Sequence, residues 1–312
     1  MNQTSPFRHV PVLRSEVAEW LSVQPGSVYV DCTLGGGGHS EAILARGGIV
    51  YGIDRDADAI AAASERLSAY LGFHAIHGNF HELKELLQKE GVRQVQGIVM
   101  DLGVSSFQLD SAERGFSYHE DAPLDMRMDR TRLFSARELV NTWPTDRIAR
   151  ILREYGDEKW AVRIAAMIIE HRERAPLETT MDLVRAVDAA IPRRIREKIA
   201  GHSAQKTFQA IRIAVNDEIA PLERAITDAV SLLCSGGRLC VISFHSVEDR
   251  VVKQTLRKME NPCTCPPGIP ICICHREPLV RLPVRGAVEP SAQEVEINPR
   301  ARSGRLRVAE RR

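Results

Sequence analysis

In the first hundred residues, short apolar runs rich in β-branched side chains alternate with stretches whose apolar positions recur at helical spacing. SVYVDC (27–32), GIVYGID (48–54), FHAIHG (73–78) and VQGIVMDLG (95–103) read as buried strands bounded by glycine. Between them lie HSEAILAR, DADAIAAASERLSAYL and FHELKELLQKEG, each with a helical apolar face, and Asp56 is placed to cap the second. The order β-α-β-α-β-α-β predicts an α/β fold, a parallel sheet with helices on both faces and right-handed crossovers.

From about Leu109 to Ile211 the strand signals stop. Amphipathic helices take over in DRIARILREYG, in EKWAVRIAAMIIEHRER before Pro176 and in TTMDLVRAVDAAI before Pro192, and another starts near Ser203. Pro221 suits the first turn of the helix PLERAITDAVSLLCSGG, after which GRLCVISFHS resumes a buried strand, and the RLRVAE run predicts edge strands in the tail. The simplest account is a discontinuous α/β domain of residues 1–108 and 212–312, interrupted by an inserted helical domain at 109–211. The chain has no internal repeat or low-complexity segment.

Composition changes this picture little. With 312 residues, 44% hydrophobic and 27% charged, the chain can bury a large core without staples. Seven cysteines is an odd number, and Cys32, Cys234 and Cys240 sit in apolar runs where a reduced thiol behaves as a small hydrophobe, which favours a reducing compartment. The N-terminal stretch has no apolar run behind a basic start, and no uncharged apolar run approaches bilayer-spanning length, so a cytoplasmic protein with no membrane partner is expected. The net charge of +1 is unevenly spread. Residues 127–212 hold 18 Lys/Arg against 12 Asp/Glu, and residues 276–312 hold 9 Arg against 5 Glu, leaving the remainder acidic. Such a distribution fits selected faces offered to a polyanion, or simply solvated helix faces.

DCTLGGGGHS follows the first strand and opens a helix, the place where glycines let backbone approach a ligand at the carboxyl edge of a parallel sheet. Neither register of G-x-G-x-x-G fits, since the last position is Ser40 or Glu41, and no Gly-Lys-Ser/Thr follows for a phosphate loop. Asp54 ends the second strand, where a carboxylate can accept hydrogen bonds from a ribose diol. Phe80 follows the third strand and offers a flat wall for an adenine, although taken singly it reads as core before ligand contact. Asp101 ends the fourth strand. Glycines, carboxylate, aromatic and second carboxylate at four successive strand ends describe a nucleoside-bearing cofactor across the sheet edge.

D-x-T-x-G-x-G at 31–37 looks like the first motif of S-adenosylmethionine-dependent methyltransferases, with Thr33 where many have glycine. HVPVL (9–13), TLGGGGHS, DLGVSSFQLD (101–110), RGFS, PLDMRMD, TFQAIRIAVNDE (207–218), VISFHSVEDR (241–250) and PRARSGRLRVAER (299–311) resemble a narrower group, the 16S ribosomal RNA cytosine-N4 methyltransferase family, called RsmH or MraW. The resemblance runs from about His9 to Arg250 and again near the end. It implies a Rossmann-like S-adenosylmethionine-dependent methyltransferase sheet with an inserted helical substrate-recognition domain. It implies methylation of the exocyclic N4 amine of a cytidine in the decoding region of 16S ribosomal RNA, met within the small ribosomal subunit, and is compatible with a homodimer. It also implies cofactor contacts from Gly37, Gly38, His39, Asp54, Phe80, Asp101 and Gln108. The last would not be picked from the residues alone.

Many amino-methyltransferases carry Asp/Asn-Pro-Pro-aromatic after the fourth strand, and DLGVSS stands there instead. Asp101 is the candidate catalytic residue, serving the target amine, the cofactor or both. His245 could reach the base or a phosphate, or cap the following turn. Arg193, Arg194, Arg196 and Lys198, with Trp143, Tyr155 and Trp160, are candidates for binding RNA, although aromatics at helical spacing are more often core. Two other functions stay open: a nicotinamide oxidoreductase, disfavoured by the glycine spacing, and a non-catalytic S-adenosylmethionine-binding ribosome assembly factor.

Cys263, Cys265, Cys272 and Cys274 form two C-x-C pairs that a hairpin through PPGIP would bring together. Four thiolates suit zinc, but the spacing is tighter than the usual C-x₂₋₄-C, and a reduced metal-free hairpin is the alternative. The group lies outside the cofactor constellation, so any metal there is structural and none is assigned to the catalytic site.

Overall fold

The computed structural model describes residues 11–199, 201–266 and 273–312. His9 and Val10 of the HVPVL motif, Cys272 and residues 267–270 of the PPGIP turn lie outside the described residues. The chain forms two units, one reaching Gly103 and resuming at Ile219, the other spanning Val104–Glu218.

The first unit begins with α1 (Arg14–Trp20), β1 (Val28–Asp31), α2 (Gly38–Leu44), β2 (Ile49–Asp54), α3 (Ala57–Arg66), β3 (Phe73–His77), α4 (Leu83–Lys89) and β4 (Val95–Asp101). Asp56 caps α3 by accepting from the Asp58 N–H at 3.1 Å, as its position predicts. A 3-10 turn, Phe80–Glu82, precedes α4, because Asn79 accepts the His81 N–H and tightens the entry.

The second unit is helical: α5 (Ser106–Asp110), α6 (Ala136–Thr142), α7 (Thr145–Glu154), α8 (Ala161–Arg174), α9 (Thr180–Ala190), α10 (Arg193–Arg196) and α11 (Gln205–Asn216). It has its own core, from Phe116 through Leu139, Ile151, Ile164 and Val187 to Val215. The sequence boundary at 211/212 would cut α11, whereas the compact unit runs on to Glu218.

The chain then completes the first unit with α12 (Leu222–Leu232), β5 (Leu233–Ser243), α13 (Ser246–Glu260), β6 (Val280–Arg281), α14 (Ala292–Ile297) and β7 (Arg305–Arg311). Strand order is β3-β2-β1-β4-β5-β7-β6. The five strands from β3 to β5 are parallel, and β7 runs antiparallel to both β5 and β6. The RLRVAE run is therefore not an edge strand: β7 lies inside the sheet and the two-residue β6 forms the edge. Successive strand residues divide between two cores. Val30, Ile98, Met100, Leu239 and Val241 belong to one, while Tyr29, Val99, Cys240 and Ile242 belong to the other. Both faces of the inner strands β1, β4 and β5 are buried, which is why they read as continuous apolar runs instead of alternating ones, while β3 at the end of the sheet is largely exposed. Burial pushes the Cys240 thiol up to about 12 and Cys32 well above its usual value, so both are inert core residues.

Order reverses between β1 and β4, whose carboxyl ends sit side by side, the place where doubly wound sheets bind ligands. Among the described residues no helix is long and apolar enough to cross a membrane.

Candidate active site

β1 delivers Asp31 to this reversal point fully buried. Its carboxylate accepts from Ser40 Oγ at 2.8 Å and from the Thr33 N–H at 3.2 Å. Burial raises its pKa, opposed by the His39 charge and by these two donors. The turn that follows is built on left-handed backbone at Gly35 (φ 47°) and Gly37 (φ 76°). The glycines differ in what they face. A Cβ on Gly37 would meet Leu67 Cδ1 at 2.9 Å and one on Gly38 would meet Pro11 Cγ at 2.6 Å, whereas one on Gly36 would meet nothing within 4 Å. Gly37 and Gly38 are thus demanded by packing, and open space lies beside Gly36, whose carbonyl accepts from Arg66 Nη1 at 3.0 Å.

Asp54, at the end of β2, braces the turn. Its Oδ2 accepts from the Gly35 N–H at 2.8 Å and its Oδ1 from the Asp56 N–H at 2.9 Å. Burial raises its pKa against those two donors. A carboxylate has roughly four acceptor positions, so these two bonds leave acceptor capacity on both oxygens for a diol.

Asp101 ends β4. Its N–H donates to Thr33 Oγ1 at 2.6 Å, which ties the glycine turn to the neighbouring strand and gives the threonine of D-x-T its role. Its Oδ2 stands 3.5 Å from His39 Nε2, while its Oδ1 is buried with no hydrogen-bond partner among the described residues. His39 is 4% exposed, and neither ring nitrogen makes a well-aligned hydrogen bond. Burial pulls its pKa down, but the Asp101 carboxylate and the Asp31 charge raise it further, so it stands above its usual value. Asp31, Thr33, His39, Asp54 and Asp101 are therefore brought together. Asp31 and Thr33 were not singled out from sequence, although both stand in the first motif.

The remaining residues are placed differently. Phe80 is buried in the core with Val30, Cys32 and Ile53, its ring edge-on to His81 at 4.6 Å. Gln108 belongs to the second unit, where it closes a capping box on α5: its N–H donates to Ser105 Oγ and its Oε1 accepts from the Ser105 N–H. His245 caps α13, accepting from the Glu248 N–H at 3.3 Å, with Nε2 3.0 Å from Glu248 Oε1. In the same VISFHSVEDR run, Asp249 takes a bidentate pair from Arg307 of β7 at 2.7 and 3.0 Å, and that arginine holds its pKa low despite burial. This motif locks the sheet to its C-terminal strand.

Chemically, the edge is rich in acceptors. Of the nearby cations, Arg14 and Arg66 pair with Glu41 at 2.9 and 2.7 Å and also donate to the Gly38 and Gly36 carbonyls at 3.2 and 3.0 Å. Carboxylates with spare acceptor capacity and open space beside the glycine turn suit a ligand with hydroxyl donors and positive charge, and would repel a pyrophosphate. The residues fit an adenosyl sulfonium better than a dinucleotide.

The second unit holds further family motifs. Arg114 of RGFS is 1% exposed and donates from Nη2 to the carbonyls of Arg127 and Met128, each at 3.0 Å. Asn216 of TFQAIRIAVNDE accepts from the Met128 N–H at 2.8 Å and donates to the carbonyls of Met126 and Arg212 at 2.7 and 2.9 Å. Both fasten PLDMRMD, where Met126 has φ 59°. Of the four basic candidates, Arg193 pairs with Glu197 at 2.9 Å and Arg196 with Asp188 at 2.7 Å, while Arg194 and Lys198 are exposed. Trp143 is stacked on Phe134 with Arg147 3.6 Å above its ring.

The description of the family whose model matches residues 6–312 is the MraW methylase family. Ribosomal RNA small subunit methyltransferase H of Symbiobacterium thermophilum is 50% identical over 305 residues, covering 96% of either chain. The protein of the same name from Clostridioides difficile strain 630 is 48% identical over 309 residues, covering 98% of this chain and 99% of its own. That from Finegoldia magna is 46% identical over 308 residues, covering 98% and 99%. With identity at this level along nearly the whole length, and the glycine turn and strand-end acids assembled at the sheet's reversal point, the chain belongs to the MraW methylase family.

Proposed function

We propose that this protein transfers the methyl group of S-adenosylmethionine to the exocyclic N4 amine of a cytidine in the decoding region of 16S ribosomal RNA. Relatives named Ribosomal RNA small subunit methyltransferase H support ribosomal RNA as the acceptor. The base and the atom rest on the motifs that resemble the cytosine-N4 family. One observation carries the reading: Asp101 is fixed at the end of β4 through Thr33 and faces His39 with one oxygen, while the other is buried without a partner among the described residues. A buried acceptor with nothing to accept costs about 1–3 kcal/mol, and such a cost is tolerated where a ligand supplies the donor.

When bound, S-adenosylmethionine supplies a methyl carbon on a sulfonium, whose S–C bond breaks as the N4–C bond forms, leaving a thioether. Asp54 receives the ribose hydroxyls on the acceptor capacity that Gly35 and Asp56 leave. The turn of Gly37, Gly38 and His39 holds the rest of the cofactor, with the open space beside Gly36 next to it, and Phe80 and Gln108 complete the set the resemblance implies. Asp101 Oδ1 accepts an N4–H of the target. That bond turns a lone pair otherwise delocalised into the pyrimidine toward the methyl, and the same oxygen takes the proton the amine loses. His39, its pKa raised by the neighbouring carboxylates, faces the other oxygen of Asp101 and orients it. A cytidine paired in a helix must leave its stack to present this edge. The second unit recognises the RNA, Arg194 and Lys198 meeting phosphates.

The test is methyl transfer from labelled S-adenosylmethionine to small ribosomal subunits from a strain lacking this protein, followed by nucleoside mass spectrometry. N4-methylcytidine is expected, and it is lost in Asp101→Asn. Cofactor binding with no methylated nucleoside would overturn the reading in favour of a non-catalytic assembly factor.

A further inference from the structure

The tail of the first unit contains a stretch that hydrophobic burial does not explain. α13 ends at Glu260, and the chain later returns to that same end: the Leu279 N–H donates to the Met259 carbonyl at 2.9 Å and the Leu282 N–H to Glu260 Oε1 at 3.1 Å. Between these points the described residues, 261–266 and 273–279, form neither helix nor strand, and Ile273 is 67% exposed. A surface segment with so little apolar contact has little to offset the entropy of being ordered. Yet three thiol sulfurs, of Cys263, Cys265 and Cys274, converge there within 4.8 Å of one another.

The spacing of two of them is informative. Cys263 Sγ and Cys274 Sγ are 3.8 Å apart. A disulfide would put them at about 2.05 Å. Two sulfurs each about 2.3 Å from one metal, at the tetrahedral angle, are separated by about 3.8 Å. The Ile273 N–H also points at Cys265 Sγ, at 3.4 Å, and a backbone donor of this kind stabilises sulfur in its thiolate form. Three soft donors select a thiophilic ion, and the Cys263–Cys274 separation fits the tetrahedral thiolate site that zinc(II) takes.

We propose that Cys263, Cys265 and Cys274 hold a zinc ion that staples the segment between α13 and β6. Binding replaces three S–H bonds by three S–Zn bonds and releases the three protons to solvent, with no change in oxidation state. Three thiolates leave one position of the tetrahedron for a further donor or water. The ion closes a loop whose ends α13 and β6 already fix, so its effect is local order and not methyl transfer. The inference does not depend on the proposed reaction.

The experiment uses the full chain purified under a non-chelating reductant from zinc-supplemented cells. Elemental analysis should give one zinc per chain, falling at least tenfold in the Cys263→Ser/Cys274→Ser double variant. Replacement of zinc by cobalt(II) in the wild-type protein should give thiolate-to-cobalt charge transfer and intense tetrahedral d–d bands, a readout that stands even if the variant misfolds. Chelation should speed proteolytic cleavage within residues 261–278 severalfold. Wild-type protein that retains no zinc and shows no cobalt–thiolate bands would overturn the proposal, as would a folded double variant that keeps its zinc, or a Cys263–Cys274 disulfide in metal-free protein prepared under the same reductant.

Discussion

Two buried polar clusters, one in each unit, are assembled from family motifs and behave in opposite ways. In the second unit, Asn216 engages three backbone groups and Arg114 two carbonyls, and together they hold the irregular segment around Met126. At the sheet edge of the first unit, both ring nitrogens of His39 and one oxygen of Asp101 are buried without a hydrogen-bond partner among the described residues. A cluster whose side chains are spent on its own backbone is part of the scaffold, and one with acceptors left over is built for something that arrives later. Motif strength does not separate the two; a leftover acceptor does, since in the second unit the buried atom of this cluster with no hydrogen bond among the described residues is a donor, Arg114 Nε.

The sharpest way to break this contrast is Asp101→Asn. The amide keeps the shape but cannot take the proton, so turnover should fall about 100- to 10,000-fold with cofactor affinity changed only a few-fold. Single-turnover rates and equilibrium binding on the same preparation separate the two effects. Normal turnover with unchanged affinity would remove Asp101 from the chemistry.

A matched pair of alanines comes next. At Gly115, φ is 69° and a Cβ would meet the Pro123 carbonyl oxygen at 2.3 Å and the Asp125 nitrogen at 2.8 Å, both rigid backbone. Gly115→Ala should therefore cost about 2–4 kcal/mol and lower the melting temperature by several degrees. Asn216→Ala should cost about as much, because buried backbone groups lose their partners. Gly36→Ala, by contrast, places its methyl in open space and should leave the melting temperature unchanged while weakening S-adenosylmethionine binding about tenfold or more. Equal melting losses for Gly36→Ala and Gly115→Ala would erase the distinction between site and scaffold.

The first cluster was far more legible than the second. Strands buried on both faces give unbroken apolar runs, so β1, β2 and β4 and the acids at their ends stand out in sequence, whereas β3, at the end of the sheet, is largely exposed and not the buried strand its run predicts. Asp54 and Asp101 were found for that reason. Thr33 was not given its role, since its bond to the Asp101 N–H joins residues far apart in sequence and leaves no local pattern. The segment around PLDMRMD has no periodicity at all, because it is held by side chains from Arg114 and Asn216 instead of by a repeating backbone ladder. Nor did spacing alone show α6, a two-turn helix whose capping box at Ser135 and Glu138 was the available signal. Gln108 was reachable only by resemblance, and its visible bonds are those of a helix cap.

Smaller effects are expected on the RNA-binding face. Arg193 and Arg196 are engaged with Glu197 and Asp188, whereas Arg194 and Lys198 are exposed. The Arg194→Ala/Lys198→Ala pair should weaken RNA binding about tenfold and reduce the slope of log affinity against log salt by about 1.5–2. Arg193→Ala should do less. An unchanged slope in the double variant would place the phosphate contacts elsewhere.

The smallest effect is a pH signature that again sets the site against its surroundings. Burial lowers His81 to about 4, with the Arg55 charge adding to it, so the folded protein resists a proton that the unfolded chain accepts near pH 6.5. Its contribution to stability is present above about pH 6.5, is lost as pH falls, and levels off near 4. His39 has the opposite sign: its folded pKa is raised by Asp101 and Asp31, so its contribution is full below about pH 6.5 and fades as pH rises through the folded value. Melting curves across this range should therefore lose their acid limb in His81→Gln and their neutral-to-alkaline limb in His39→Gln. Saturating S-adenosylmethionine should move the His39 limb and leave the His81 limb in place, since only His39 faces the carboxylate proposed to meet the reacting atoms. Equal responses of both limbs to the cofactor would mean that the orphaned groups at the sheet edge are no more tuned to a ligand than the half-buried histidine beside Phe80.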